Sequence, residues 1–249
     1  MDIWDACREA VIPRSLKGEL IRVVESQEQI ASRSLVDDLA EQALIELLLE
    51  HSKPPVPLDC VHLHYLLSSP FRYPPLEYGS RFGARHEPSL FYGALSETTA
   101  LTETAYYRLV FWQGMEISPP GGSLTTEHTL FAAGYASDKC VCLQETPFDQ
   151  FESRLTSPHS YHETQRLGSR LREAGIELLT YVSARDPDRG LNIALFSARP
   201  FSQRAPLWKE SWLCDTRAEE VVFYNKTAGT CVFKHSQFLV LGEFPYPPD

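Results

Sequence analysis

The sequence predicts an α+β fold, and three observations carry that prediction. Apolar residues follow helical spacing through the first fifty or so positions. After Pro54, Pro55 and Pro57 the texture changes to short alternating runs separated by turns. Two further helical patterns lie among those runs, which is the mark of helices set against a mixed or antiparallel sheet. At 249 residues, 43% apolar and 11% aromatic, the chain is long and apolar enough to bury a real core. No internal repeat or low-complexity segment interrupts it.

Taken in order, residues 15–29 place Leu16, Leu20, Ile21, Val23 and Val24 as a helical stripe. Ser34, with Asp37 three residues on, marks a second helix start, followed by Leu35, Leu39, Ala43, Leu44, Leu47 and Leu48. The three prolines stop it. Residues 1–57 therefore read as a helical N-terminal extension and 58–249 as the main α+β domain. In that domain 61–67 is a strand candidate with His62 and His64 on one face, and 71–88 is a loop rich in Pro, Gly and Arg. Residues 89–93 form a short strand, and Ser96 opens a helix to 112. Strands are expected at 129–135 and 139–144, then a helix over 159–174 ended by Gly175. Strands at 176–182, 191–196, 220–224, 230–233 and 238–241 complete the pattern.

Charge and cysteine usage narrow the function classes. The chain carries 33 acidic against 23 basic residues, a formal charge of −10. That excess argues against direct nucleic-acid binding, which draws its affinity from Lys and Arg on phosphates. Half of it falls between Met1 and Lys53, where eleven Asp/Glu face six Lys/Arg. The six cysteines lack zinc-knuckle spacing and read as free thiols of a cytoplasmic protein, and no metal site is expected. No apolar run reaches membrane-spanning length, and the start of the chain lacks the pattern of a secretory signal. The phosphate loop GxxxxGK[ST], HExxH, GxSxG and GxGxxG are all absent.

What stands out is the run YGSRFGARHEPSLFYGALSETTALTETAYYR over 78–108, in which Arg81, Tyr92 and Glu103 are spaced 11 and 11 apart. A second run, TYVSARDPDRGLNIALF, places Ser183 at a strand end before a charged turn. Gly79-Ser80-Arg81-Phe82, Leu90-Phe91-Tyr92, Ala100-Leu101-Thr102-Glu103 and Tyr181-Val182-Ser183-Ala184-Arg185, the last followed by Gly190 and Asn192, occur in that order. Together, over about 70–200, they resemble the RES domain family, named for its Arg, Glu and Ser, the toxins of RES–Xre toxin–antitoxin modules. Ser80 stands where the family pattern has Gly, and Gly83 where it often has Asn.

The resemblance implies an ADP-ribosyltransferase-like core of small mixed or antiparallel sheets with flanking helices. It implies NAD as substrate, cleaved at the nicotinamide–ribose bond by phosphorolysis, with inorganic phosphate as co-substrate, or by hydrolysis. Transfer of ADP-ribose to a protein, or a catalytically weak RES-like binding module, are the alternatives. An Xre-type helix-turn-helix antitoxin and a homodimer are the implied partners.

Residue chemistry runs alongside. Breaking an N-glycosidic bond develops oxocarbenium-like charge on the ribose, which a nearby carboxylate stabilises. Glu103 is that candidate, against its reading as a solvent-facing helix residue. Arg81 in a Gly-containing loop suits a pyrophosphate, whose oxygens a guanidinium binds in pairs; otherwise it is a surface arginine. Tyr92 can stack on nicotinamide and offer its hydroxyl to ribose or phosphate, or pack in the core. Ser183 can bond the carboxamide or ribose, or form a turn. Arg72 and Arg85 are further phosphate candidates.

Overall fold

In a computed structural model that describes residues 2–26 and 38–247, the chain is α+β, built on one mixed sheet of eight strands. The elements in order are α1 (Ile3–Cys7), β1 (Arg14–Glu25), α2 (Leu39–Ser52), α3 (Tyr65–Arg72), β2 (Phe91–Ala94), α4 (Glu97–Gln113) and β3 (Leu124–Cys142). They continue with α5 (Glu152–Leu155), α6 (His162–Glu173), β4 (Leu178–Val182), β5 (Leu191–Leu195), β6 (Trp208–Thr216), β7 (Glu220–Asn225) and β8 (Gly229–Lys234). Strand order is β1-β2-β5-β4-β3-β6-β7-β8, and β1 also pairs with β3. The first five strands therefore close a ring, sealed between β1 and β2 at Ile21 and Ala94. The β3–β4 pair is parallel and the other pairs are antiparallel.

Alternation along the strands sorts side chains between layers, because successive residues point to opposite faces. On β4 and β5, Leu178, Ile193 and Leu195 join Leu66 and Leu67 of α3 in one cluster. Leu179, Tyr181 and Ala194 face the other way, onto Leu167 and Leu171 of α6 and Ile3 of α1. A third cluster sets Leu101, Ala105 and Leu109 of α4 against Ile21, Leu130, Trp212 and Phe223. Helix α4 starts where Ser96 accepts a hydrogen bond from the Thr99 amide (3.1 Å), a cap worth about 1 kcal/mol.

Several sequence expectations are corrected. The stripe expected as a helix over 15–29 is strand β1, as far as the described residues go, so this part of the N-terminal segment is inside the sheet rather than a helical extension beside it. The residues Leu20-Ile21-Arg22-Val23-Val24 fit period 2 as well as period 3.6, and β-branched Ile21, Val23 and Val24 favour the pleat. Gly18 weakens a helix there, and it faces Tyr135 across the pair. The second helix is present as α2, but its cap is Asp38, accepting from the Ala40 and Glu41 amides; Ser34, Leu35 and Asp37 lie outside the described residues.

Residues 61–67 are not a strand. His64 caps α3, its ring nitrogen bonded to the Leu66 amide at 3.2 Å, so His62 and His64 share no strand face. The runs 129–135 and 139–144 are one long strand, β3, that passes Ser137 and Asp138 without breaking. The run 238–241 is a short turn of 3-10 helix and a tight loop, while β6 was not expected: its Lys209 and Glu210 hide the alternation of Trp212, Cys214 and Thr216. No helix among the described residues is long and apolar enough to cross a membrane.

One buried group gives the fold a pH dependence. His128 on β3 is 2% exposed, edge-on to Phe223, and burial together with the charge of Arg108 pushes its pKa down to about 4. An unfolded histidine takes its proton near pH 6.5, so the unfolded chain binds more protons as pH falls from 6.5 to 4. The native state is therefore penalised progressively over that window and not above it. Urea denaturation is expected to show a loss of about 2 to 3 kcal/mol between pH 7 and pH 4.5 from this group. The slope should flatten by that amount in His128→Gln, and an unchanged slope would remove His128 as its source.

Candidate active site

A cavity of about 450 Å³ opens between α4, β1, β2 and the loop before β2. Its charged lining is Arg22, Arg81, Arg185 and Glu103, so a chain of net charge −10 presents here three guanidinium groups to one carboxylate. Five tyrosines, Tyr78, Tyr92, Tyr107, Tyr161 and Tyr181, are part of the remaining wall.

Glu103 is placed by the docking of α4 onto the β4–β5 turn. One helical turn earlier, Thr99 donates to Asp186 Oδ2 at 2.8 Å, and both side chains are buried. That contact needs Gly190, where an added Cβ would fall 1.9 Å from Thr99 Oγ1 and 2.5 Å from Asp186 Oδ2. With the helix held so, Glu103 Oε1 accepts two hydrogen bonds of 2.6 Å, from Ser183 Oγ and from Asn192 Nδ2. No described residue bonds Oε2, and Glu103 reaches the cavity wall. The carboxylate is thus clamped through one oxygen and presents the other.

Ser183 does more than terminate β4. Its Oγ donates to Glu103 and accepts from the amides of Arg185 (3.1 Å) and Asp186 (2.9 Å), so its hydroxyl proton is committed to the carboxylate. It stands behind Glu103 and is not among the residues that line the cavity.

Arg81 lies in a loop clamped by α6. Gln165 Nε2 donates to the carbonyls of Tyr78 (2.8 Å) and Ser80 (3.1 Å), and Gly168 lets the helix approach until a Cβ there would sit 2.0 Å from the Phe82 carbonyl oxygen. Arg81 Nη1 donates to the carbonyls of Ser157 (3.0 Å) and Leu155 (3.3 Å), and its guanidinium covers the Tyr161 ring at 4.7 Å. The side chain is thereby oriented along the cavity wall.

Tyr92 lines the cavity with its ring, but its hydroxyl is turned away. It bonds Ser80 Oγ at 2.9 Å and accepts from the Phe82 amide at 3.0 Å, and burial pushes its pKa up to about 12. This bond accounts for both departures from the family run. Ser80 supplies a hydroxyl that ties the Arg81 loop to Tyr92. Gly83 must then stay small, since a Cβ there would meet Ser80 Oγ at 2.9 Å and Leu90 Cδ1 at 2.6 Å.

Arg72 and Arg85 are not brought to the cavity. Arg72 pairs with Glu50 (2.7 Å) and donates to the Pro54 carbonyl, pinning α3 to the end of α2. Arg85 is exposed beside Glu77 at 3.6 Å. Sequence reasoning missed Arg22 and Arg185 as wall residues and Asn192 as a partner of Glu103. Arg22 donates to the Tyr92 carbonyl at 2.8 Å and covers Phe91; burial lowers its pKa to about 10, which leaves it charged at neutral pH. Reading β1 as a helix concealed it, whereas the alternation around Leu20 and Ile21 could have revealed it. Arg185 packs on the Tyr106 ring at 3.9 Å and donates to the Pro158 carbonyl at 2.9 Å.

No curated protein matches the chain. The model of the RES domain matches residues 57–217, well over half the sequence, a span that holds Arg81, Tyr92, Glu103, Ser183 and Asn192. On that match the chain belongs to the RES domain family.

Proposed function

We propose that this protein cleaves the nicotinamide–ribose bond of NAD and acts as the toxin of a RES–Xre module. The observation that carries the reading is the clamped carboxylate: Glu103, fixed through Oε1 by Ser183 and Asn192, in a cavity whose other charged groups are three arginines. That charge pattern suits a dianionic pyrophosphate linked to a sugar that becomes cationic when it reacts.

In this scheme Arg81, with Arg22 and Arg185, holds the pyrophosphate, and the ring of Tyr92 stacks on nicotinamide. Glu103 Oε2 accepts a hydrogen bond from a ribose hydroxyl and stabilises the oxocarbenium charge as the bond to nicotinamide lengthens. The electron pair of that bond leaves with nicotinamide, which departs neutral. Phosphate or water then adds to the anomeric carbon and loses a proton. Ser183 and Asn192 are positioning residues, because they act through Glu103. No metal is required by the chemistry: the leaving group is already activated by its own positive charge.

Site of action in the cytoplasm, neutralisation by an Xre-type helix-turn-helix antitoxin and homodimerisation belong to the same proposal, supported by membership of the family. The decisive experiment incubates purified protein with NAD, with and without inorganic phosphate, and follows nicotinamide by chromatography. Wild-type protein is expected to release nicotinamide. An ADP-ribose phosphate product marks phosphorolysis, free ADP-ribose marks hydrolysis, and label on a protein marks transfer. Failure to release nicotinamide under every condition overturns the reading.

A further inference from the structure

A second cavity of about 490 Å³ lies further along α4 and shares two wall residues, Thr104 and Tyr107, with the first. Its other walls include Phe111 and Arg108 of α4, Glu25 of β1 and His128 of β3. Glu103, Tyr107 and Phe111 are spaced four apart, so they form one stripe on α4, with successive members about 6 Å apart along the axis. The stripe runs from the clamped carboxylate in the first cavity to an aromatic pair in the second.

Three features separate the chemistry of this cavity from that of its neighbour. Its charges balance, because Arg108 Nη1 pairs with Glu25 Oε2 at 3.1 Å, so it offers no surplus cation for a phosphate. Tyr107 and Phe111 are 48% and 54% exposed, two large rings that no core cluster covers, although Tyr106 on the same helix is buried completely. Arg108 and His128 are at least nine-tenths buried, yet among the described residues Arg108 Nη2 and His128 Nδ1 have no hydrogen-bond partner. An unpaired buried polar atom is costly, and a ligand edge that bonds it recovers that cost. Flat aromatic walls with unpaired polar atoms in a charge-balanced pocket match a heteroaromatic base.

We propose that the second cavity is the adenine subsite, with Phe111 and Tyr107 as its stacking wall and Arg108 and His128 facing the polar edge of the base. The proposal rests on the reading of the first cavity as an NAD site and extends it: the dinucleotide lies along the α4 stripe, nicotinamide riboside at Glu103, pyrophosphate on the arginines, adenosine beyond Tyr107. Phe111 becomes a specificity residue that selects dinucleotide over mononucleotide.

The test compares kcat/KM for NAD and for nicotinamide mononucleotide, which has the reacting bond but no adenosine. Wild-type protein is expected to prefer NAD, Phe111→Ala to reduce that preference on the order of tenfold, and Phe111→Trp to retain it. A preference unchanged in Phe111→Ala overturns the subsite while leaving the NAD reading intact. If neither substrate is cleaved, the NAD reading fails and titration with AMP decides the subsite alone. AMP binding weakened about tenfold by Phe111→Ala supports it, and absent or unaltered AMP binding overturns it.

Discussion

Glu103→Gln is expected to lower the rate of nicotinamide release by about a thousandfold while NAD binding holds or tightens. Glutamine keeps the shape of the side chain and an oxygen able to accept from Ser183 and Asn192, whose bonds both fall on Oε1. What it removes is the negative charge facing the ribose, and that charge matters most once the sugar has become cationic. In the ground state the same charge repels the pyrophosphate while attracting the nicotinamide cation, and the Gln amide can still donate to the ribose hydroxyl oxygen, so its removal changes binding little. The signature is a collapse of kcat with KM unchanged or lower, read from initial rates and an NAD titration. Ser183→Ala is expected to fall between wild type and Glu103→Gln, because Asn192 still holds the carboxylate. Near-wild-type turnover by Glu103→Gln would eliminate the charge as the catalytic element.

Gly190→Ala is expected to damage both stability and activity, though Gly190 contributes no side chain to the cavity. The new methyl would stand 1.9 Å from Thr99 Oγ1 and 3.0 Å from Thr99 Cβ. Thr99 cannot swing aside cheaply: it is β-branched, 2% exposed and bonded to both Ser96 and Asp186. The first turn of α4 has to move off the β4–β5 turn, at a cost of about 3 kcal/mol. For a chain of this size that lowers the melting temperature by roughly 6 to 12 °C. Glu103 is one turn further along the same helix, so its bonds to Ser183 and Asn192 stretch and turnover falls with the melting point. Gly175→Ala is the control. Its φ of +76° imposes about 1 kcal/mol of strain, but no atom lies within 4 Å and the site is remote. A Gly190→Ala protein that melts and turns over like Gly175→Ala would contradict the docking argument.

The parts legible in the sequence were those whose signals are local. Ser96 caps α4 by accepting from the Thr99 amide three residues on, and Gly175 ends α6 by its own backbone angle. That Arg81, Tyr92 and Glu103 belong together was legible because each sits in a short run with a distinctive neighbour, and the three line one cavity. The parts that escaped depend on distant pairing. Strand β1 reads as a helix until β3 is set beside it, because five apolar residues in nine positions satisfy either period. Losing β1 lost Arg22 with it. Arg72 and Arg85 illustrate the converse: proximity along the chain to Arg81 does not bring them to the cavity, since Glu50 and Glu77 hold them elsewhere. The Ser80–Tyr92 bond was invisible for the same reason, because two hydroxyls twelve positions apart meet only when the loop folds back.

The pairing of β1 with β3 also sets a schedule. Arg14 aligns with Cys140 and Glu25 with His128, so the first strand leaves the ribosome on the order of 100 residues before its partner, some 5 to 20 s at ordinary rates of translation. Arg22 reaches its place on the wall only when that ladder zips. Glu103 emerges before β3, but Asn192, which completes its clamp, lies 89 positions downstream of it. A nascent or prematurely terminated chain therefore carries the individual groups without the cleft. For a protein proposed to consume NAD, synthesis itself is a safe interval, and the hazard begins only when the last members of the constellation have emerged and folded together.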